Sequence, residues 1–453
     1  MKQRMSVKLS TTQMIMLSFL LVILAGSVLL VLPISSASGE SVSYIDAFFT
    51  ATTATCVTGL VTLPTVSAWS PFGQVIILLL IQIGGLGTIT IMSGLMLSLH
   101  HKMGLGDRLL IQDALNLNTL SGLGEFVKKI ILGTFVVEGI GALLYMTVFI
   151  PEFGIKGIWI SIFNSISAFC NAGMDILSES SLCDYVQNPI INVVTGTLIV
   201  LGGIGYIVWW DVLRVLKKAK QQKLKCFKNL MLHSKIALSM TAILLIAGAL
   251  AFFVFEYHNP LTMKDYTVLE KVQASLFQSV TTRTAGFATI PQENLTNASS
   301  MVSLLLMFIG GSPVGTAGGI KTVTIAVLMI SAFSTINNRT DAAIFQRNIS
   351  KQAVSKAVAV VSMSFIIVFV STVLLSAVTK ASALDIMYET VSATATVGLS
   401  RNLTPFLNIW GKIIIIGTMY LGRVGPISLA IAFHVRKETK NIIKNPTEEI
   451  SVG

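Results

Sequence analysis

The stretch IDAFFTATTATCVTGL, residues 45–60, is too short and too polar to cross a bilayer, yet it lies between two long apolar runs and ends in glycine. Three other segments have the same form: WISIFNSISAFCNAGM (159–174), LFQSVTTRTAGF (276–287) and DIMYETVSATATVGL (385–399). Their glycines, Gly59, Gly173, Gly286 and Gly398, are spaced by 114, 113 and 112 residues. So regular a period points to four copies of one unit: helix, short re-entrant segment, helix. One such glycine would read as an ordinary loop turn; four at a constant period do not. The expected fold is an all-α membrane protein, with eight transmembrane helices in four helix–pore segment–helix repeats around a pseudo-fourfold axis. The repeats fall at 12–99, 127–215, 235–335 and 354–436, followed by a cytoplasmic tail at 437–453.

Composition agrees. The chain of 453 residues is 53% hydrophobic and 12% charged, with a mean hydropathy of +0.77, too apolar for a soluble protein of this length. Apolar runs near 12–33, 72–99, 127–150, 190–213, 235–255, 300–333, 354–379 and 409–433 each approach the ~20 residues that cross a bilayer as helix. The first follows Lys2, Arg4 and Lys8 but is longer than a signal peptide needs and lacks a small-residue cleavage site, so it reads as a retained helix. Lys and Arg collect at both termini and near 100–110, 214–235 and 336–356, while Glu40, Asp46, Glu152, Asp175, Glu179, Asp184, Glu256, Asp265, Glu270, Asp385 and Glu389 fall on the other side. The basic side is expected to be cytoplasmic in a multi-pass plasma-membrane protein. The net charge of +11 is then a topology signal and gives no argument for nucleic-acid binding.

Several chemistries are excluded by pattern. Cys56, Cys170, Cys183 and Cys226 have no C-x-x-C spacing and form no cluster with the five histidines, which argues against a metal site or a disulfide framework. Neither a Ser–His–Asp order nor H-E-x-x-H is present, and no enzyme activity is expected. GTAGGIKT (315–322) approaches a phosphate-binding loop, but Ile320 replaces the glycine before the lysine and apolar helix flanks it instead of a strand.

Backbone that leaves helical geometry at membrane depth is tolerated only where it is buried or lines an aqueous path. Four half-helices meeting at a centre would aim four partially negative C-termini at one point. The tails that follow are Cys56, Val57, Thr58, Gly59; Cys170, Asn171, Ala172, Gly173; Arg283, Thr284, Ala285, Gly286; and Ala395, Thr396, Val397, Gly398. They contain no acid and share no side-chain ligand, so a cation would be held by backbone carbonyls, as in potassium filters. Glycine permits the left-handed conformations that turn successive carbonyls inward.

With this plan, the TAGF-type third tail and the stretch GGSPVGTAGG (310–319), nearly the whole chain (12–436) resembles the Ktr/Trk/HKT superfamily of potassium transporters, most closely the bacterial KtrB-type membrane subunits. TrkH carries an additional N-terminal helix pair for which this chain has no room. The resemblance implies potassium uptake without a cofactor, homodimer pairing and a cytoplasmic nucleotide-binding regulatory ring of KtrA type that the basic loops would face. Glycine at all four tail ends implies potassium preference, because plant HKT proteins that pass sodium can have serine at the first. A sodium or non-selective cation pore, and a non-conducting scaffold or sensor of the same fold, are the alternatives.

The chain later reads IGGLG (83–87), LGGIG (201–205), IGGSP (309–313) and LGRVG (421–425), with the first glycine of each stretch 24 to 29 residues beyond the tail glycine. Arg423 replaces the second glycine and is expected below the filter, in room that glycines leave elsewhere; the alternative is a snorkelling arginine. The resemblance implies that Arg423 is a gate element. Gly310, Gly311, Ser312, Pro313, Val314, Gly315, Thr316, Ala317, Gly318 and Gly319 interrupt the third repeat's second helix and read as an intramembrane loop between half-helices. A kinked helix is the competing reading; the resemblance implies a moving gate. Arg283 and Arg401 flank the third and fourth tails, and Arg283 is expected to brace them through backbone or an acid such as Glu389.

Overall fold

The computed structural model describes residues 10–98, 104–114, 122–217, 228–339 and 341–425. The tail at 437–453, the end of the fourth repeat and residues 218–227 of the basic 214–235 loop lie outside the described residues. Each unit opens on a leading helix: Thr11–Val31, Leu123–Phe153, Leu232–Glu256 and Lys351–Val378. These four are long and apolar enough to cross a membrane. Short helices follow at Tyr44–Cys56, Lys156–Cys170, Val268–Thr281 and Ala383–Ala395. Returning helices come last, at Pro71–Leu86, Pro189–Ile204, Asn297–Phe308 and Ile409–Val424.

Of the eight spans expected, one of them interrupted in the third repeat, only the leading helices are continuous and long enough to cross among the described residues. The returning helices have 16, 16, 12 and 16 residues, at most about 24 Å of helix. Three stop at Gly87, Gly205 and Gly425, whose φ values of 85°, 90° and 93° no helix can continue through. After Gly205 the chain bends by 98° into Tyr206–Lys217, and counting that bent pair as one raises the number of candidate spans among the described residues to five. The third returning helix gives way to a loop that ends at Thr322–Ile336. A two-stranded hairpin, Ala343–Ile344 with Arg347–Asn348, precedes the fourth unit.

Local sequence explains where the returning helices begin. Ser70, Asn188, Thr296 and Asn408 each cap one with a side-chain oxygen that accepts from the first-turn amides. In every unit the leading helix packs along its short helix. Each returning helix also packs on the next unit's short helix, and the fourth meets the first, so the order of contacts closes on itself. The fourth residue of each returning helix lies at these seams. Gln74 Oε1 accepts from Trp159 Nε1 at 2.8 Å, and Asn192 and Gln273 both donate to Val186 O. Ser300 Oγ accepts from Arg401 Nη1 at 2.8 Å, and Lys412 Nζ pairs with Asp46 Oδ1 at 2.6 Å.

Candidate functional site

The short helices end in the same way. The residue two before the tail glycine (Val57, Asn171, Thr284 or Thr396) is left-handed, with φ between 50° and 65°. No glycine occupies these positions, so each stores about 1–3 kcal/mol of backbone strain. The strain is held by a bond common to all four units: Thr58, Ala172, Ala285 and Val397 donate their amides to the carbonyls of Thr53, Ser167, Thr281 and Ser392. The hydroxyls of those same helix residues hold the tails too. Thr53 accepts from Gly59 N at 2.9 Å, Ser392 from Gly398 N at 3.1 Å and Ser167 from Met174 N at 3.1 Å, while Thr281 donates to Phe287 O at 2.6 Å. Sequence reading missed these four residues, although their spacing from the tail glycines was available as a signal.

The four glycines meet. A methyl carbon built on Gly59 would stand 2.5 Å from Ala172 O, one on Gly173 2.6 Å from Ala285 O, and one on Gly286 2.5 Å from Val397 O. One on Gly398 would strike Thr58 O. Each glycine therefore faces the carbonyl just before the next unit's glycine, and the fourth returns to the first. Cys56, Cys170 and Ala395 are the last residues of their helices, so the non-helical tails begin one residue later than expected. The Cys170 thiol points away, towards Gln82 Oε1 at 3.7 Å and Glu138 Oε1 at 3.8 Å.

The interrupted third returning helix is a loop tied off at its base: Gly310 N donates to Ile320 O, Ile320 N to Phe308 O and Thr322 N to Gly311 O. Its body touches several units. Ser312 N and Thr316 N donate to Gly203 O and Gly202 O, and Thr316 Oγ1 donates to Phe169 O at 3.0 Å. Gly318 N donates to Thr284 Oγ1 at 3.1 Å, linking loop and third tail. Lys321 Nζ reaches back to Ala317 O at 2.6 Å.

Arg423 closes this arrangement. Its Nη1 donates to Thr316 O of the loop at 2.7 Å, and its Nη2 donates to Gly84 O of the first returning helix. Among the described residues no carboxylate pairs with it; carbonyl dipoles receive the charge. Gly422 lies against the Thr394 carbonyl as Gly84 and Gly202 lie against those of Thr55 and Phe169. The room expected at the second glycine is only partly there: a methyl carbon on Gly203 would meet Ala317 Cβ at 3.5 Å, but on Gly85 it would stand 2.5 Å from the Cys170 sulfur. Arg283 turns to the loop as well, Nη2 donating to Gly310 O at 3.1 Å, and Glu389 is engaged elsewhere. Of the two bracing partners expected for Arg283, the backbone one is observed. Arg401 binds Asp385 at 2.8 Å and the carbonyls of Gln292 and Glu293.

The model of the TrkH family, described as cation transport protein, matches residues 2–445. The potassium/sodium uptake protein NtpJ of Enterococcus hirae is 40% identical over 459 residues, covering 100% of this chain and 99% of that protein. The Ktr system potassium uptake protein B of Bacillus subtilis is 38% identical over 99% of this chain and 98% of its own length. The crystal structure of the potassium transporter TrkH from Vibrio parahaemolyticus shares the fold with a TM-score of 0.75 at 17% identity, over 96% of this chain and 87% of that one. With four apolar spanning helices and a match along nearly its whole length, the chain belongs to the TrkH family of membrane cation transporters and is not an enzyme.

Proposed function

We propose that this chain takes up potassium through a path on the axis of its four units, with the tails 56–59, 170–173, 283–286 and 395–398 as a carbonyl-lined filter. The observation that carries the reading is the cycle of tail contacts, in which every glycine meets the next unit's carbonyl. Four tails without an acid leave oxygen dipoles as the only ligands, and such a cage replaces the hydration shell of a cation. The closed order of helix packing supports a pseudo-fourfold arrangement of the four repeats.

Below the filter, Arg423 and the loop 310–319 form the gate. A fixed guanidinium on the path repels a passing cation, and its bonds to Thr316 O and Gly84 O keep loop and arginine together in a closed state. Opening breaks those bonds and withdraws both obstacles. The basic loops face the cytoplasm with both termini. The Bacillus relative is named as protein B of a Ktr system, which supports assembly with other subunits; the assembly we propose is a homodimer on a cytoplasmic nucleotide-binding ring of KtrA type.

The Enterococcus relative is named for sodium as well as potassium uptake, which favours a second reading with weaker discrimination. Rubidium and sodium influx into liposomes, with growth rescue of a potassium-uptake-deficient bacterium at low potassium, separates the readings. Rubidium flux well above sodium flux supports the filter, equal fluxes support the second reading, and no flux with or without a co-expressed ring leaves a scaffold or sensor.

A further inference from the structure

Glu389 lies within the fourth short helix, fully buried, where no salt bridge reaches it among the described residues. Its Oε2 accepts from Ser400 Oγ at 2.7 Å and its Oε1 accepts from Thr404 Oγ1. Both donors belong to the segment that leaves the fourth tail, two and six residues past Gly398. Ser400 Oγ in turn accepts from Leu403 N at 3.1 Å. One helical turn before Glu389, Asp385 holds Arg401 of the same segment at 2.8 Å. The exit of this tail is thus fastened twice to the helix that leads into it, once by an ion pair and once by a buried carboxyl.

The third unit has a neutral counterpart: Gln278, three residues before Thr281 as Glu389 is three before Ser392, exchanges amide bonds at 2.7 and 3.1 Å with Gln292, six residues past Gly286. The first and second units have Thr50 and Asn164 at that place, and the fourth alone has an acid there. Asn164 is buried with neither amide atom hydrogen-bonded. A buried carboxyl is costly unless its bonds do something for the fold or the site, and here both bonds go to one short stretch of filter exit.

We infer that Glu389 is a specificity-determining positioning residue. It acts through Ser400 and Thr404 on the fourth tail and limits how far that tail's carbonyls can close on an ion. Gly398 N is already pinned to Ser392 Oγ at 3.1 Å on the entry side; Glu389 pins the exit. A tail held at both ends cannot contract onto a sodium ion, which needs shorter oxygen contacts than potassium. Releasing the exit allows the contraction and admits sodium. The inference rests on the filter reading above.

The test is the ratio of rubidium to sodium flux in liposomes, with membrane levels measured in parallel. Glu389→Leu, which removes both acceptors, lowers the ratio about tenfold, equivalent to ~1.4 kcal/mol of differential binding. Glu389→Gln, whose amide oxygen still accepts a hydroxyl, keeps most of the ratio. Ser400→Ala with Thr404→Val leaves the carboxyl in place, removes its donors and gives an intermediate loss; it decides the matter if the leucine variant does not reach the membrane. An unchanged ratio in variants present at normal levels, or equal loss in the glutamine and leucine variants, overturns the inference. A parent protein that conducts without preferring rubidium would sink the filter reading itself, a separate outcome.

Discussion

Removing Arg423 tests the gate most directly, because its two bonds reach two other units. Each guanidinium bond to a carbonyl contributes about 1.5–3 kcal/mol, so the bond to Thr316 O fastens the loop to Arg423 by about that much, and the bond to Gly84 O holds the guanidinium to the first returning helix by a similar amount. The charge adds its own barrier: at ~6 Å and an effective dielectric of ~20, two unit charges repel by about 3 kcal/mol. That term alone corresponds to roughly a hundredfold in rate if passage limits flux. Arg423→Ala removes both effects, and maximal rubidium influx into liposomes should rise at least severalfold, with about a hundredfold as the ceiling set by the repulsion. Arg423→Lys retains the charge but reaches one carbonyl at a time, and should keep much of the block. The reasoning fails if alanine is inactive and lysine no better at normal membrane levels, since Arg423 would then hold the fold and the gate would lie elsewhere.

Gly59→Ser places a side chain 2.5 Å from Ala172 O, where neither backbone can yield without widening the cycle of tails; the potassium-to-sodium flux ratio should fall, and an unchanged ratio removes Gly59 from the filter. If the loop 310–319 is the gate, deleting 312–318 should raise potassium flux and make it depend less on any partner; normal insertion without faster conduction would make the loop packing. Lys412→Met leaves Asp46 unpaired at the seam between the first and fourth units and should cost roughly 2–4 kcal/mol of stability, read as a lower melting temperature in detergent. Adding Asp46→Asn should recover part of that loss, and full additivity would show that the pair is not coupled.

Composition and period carried the class of this protein. Apolar runs are a one-dimensional property, and a repeat of 112 to 114 residues is visible without coordinates because each copy must satisfy the same bilayer. The tail glycines were legible for the same reason, and so was the interruption at 310–319, where proline and glycine remove helical hydrogen bonds. Hydropathy could not tell a straight returning helix from one broken at Gly87, Gly205 or Gly425, because a single left-handed glycine stops a helix without making the run less apolar.

What only the tertiary structure decided is which distant groups meet. The strain at Val57, Asn171, Thr284 and Thr396 is invisible in a sequence that puts no glycine there, since the bonds that hold it come from Thr53, Ser167, Thr281 and Ser392. Arg423 was conspicuous as a charge in an apolar run, but its partners are backbone carbonyls at Thr316 and Gly84, 107 and 339 residues away. A carbonyl belongs to every residue alike, so no residue type marks it as a partner. The sequence fixes where such a charge must be compensated, and folding alone chooses which of many identical carbonyls does it.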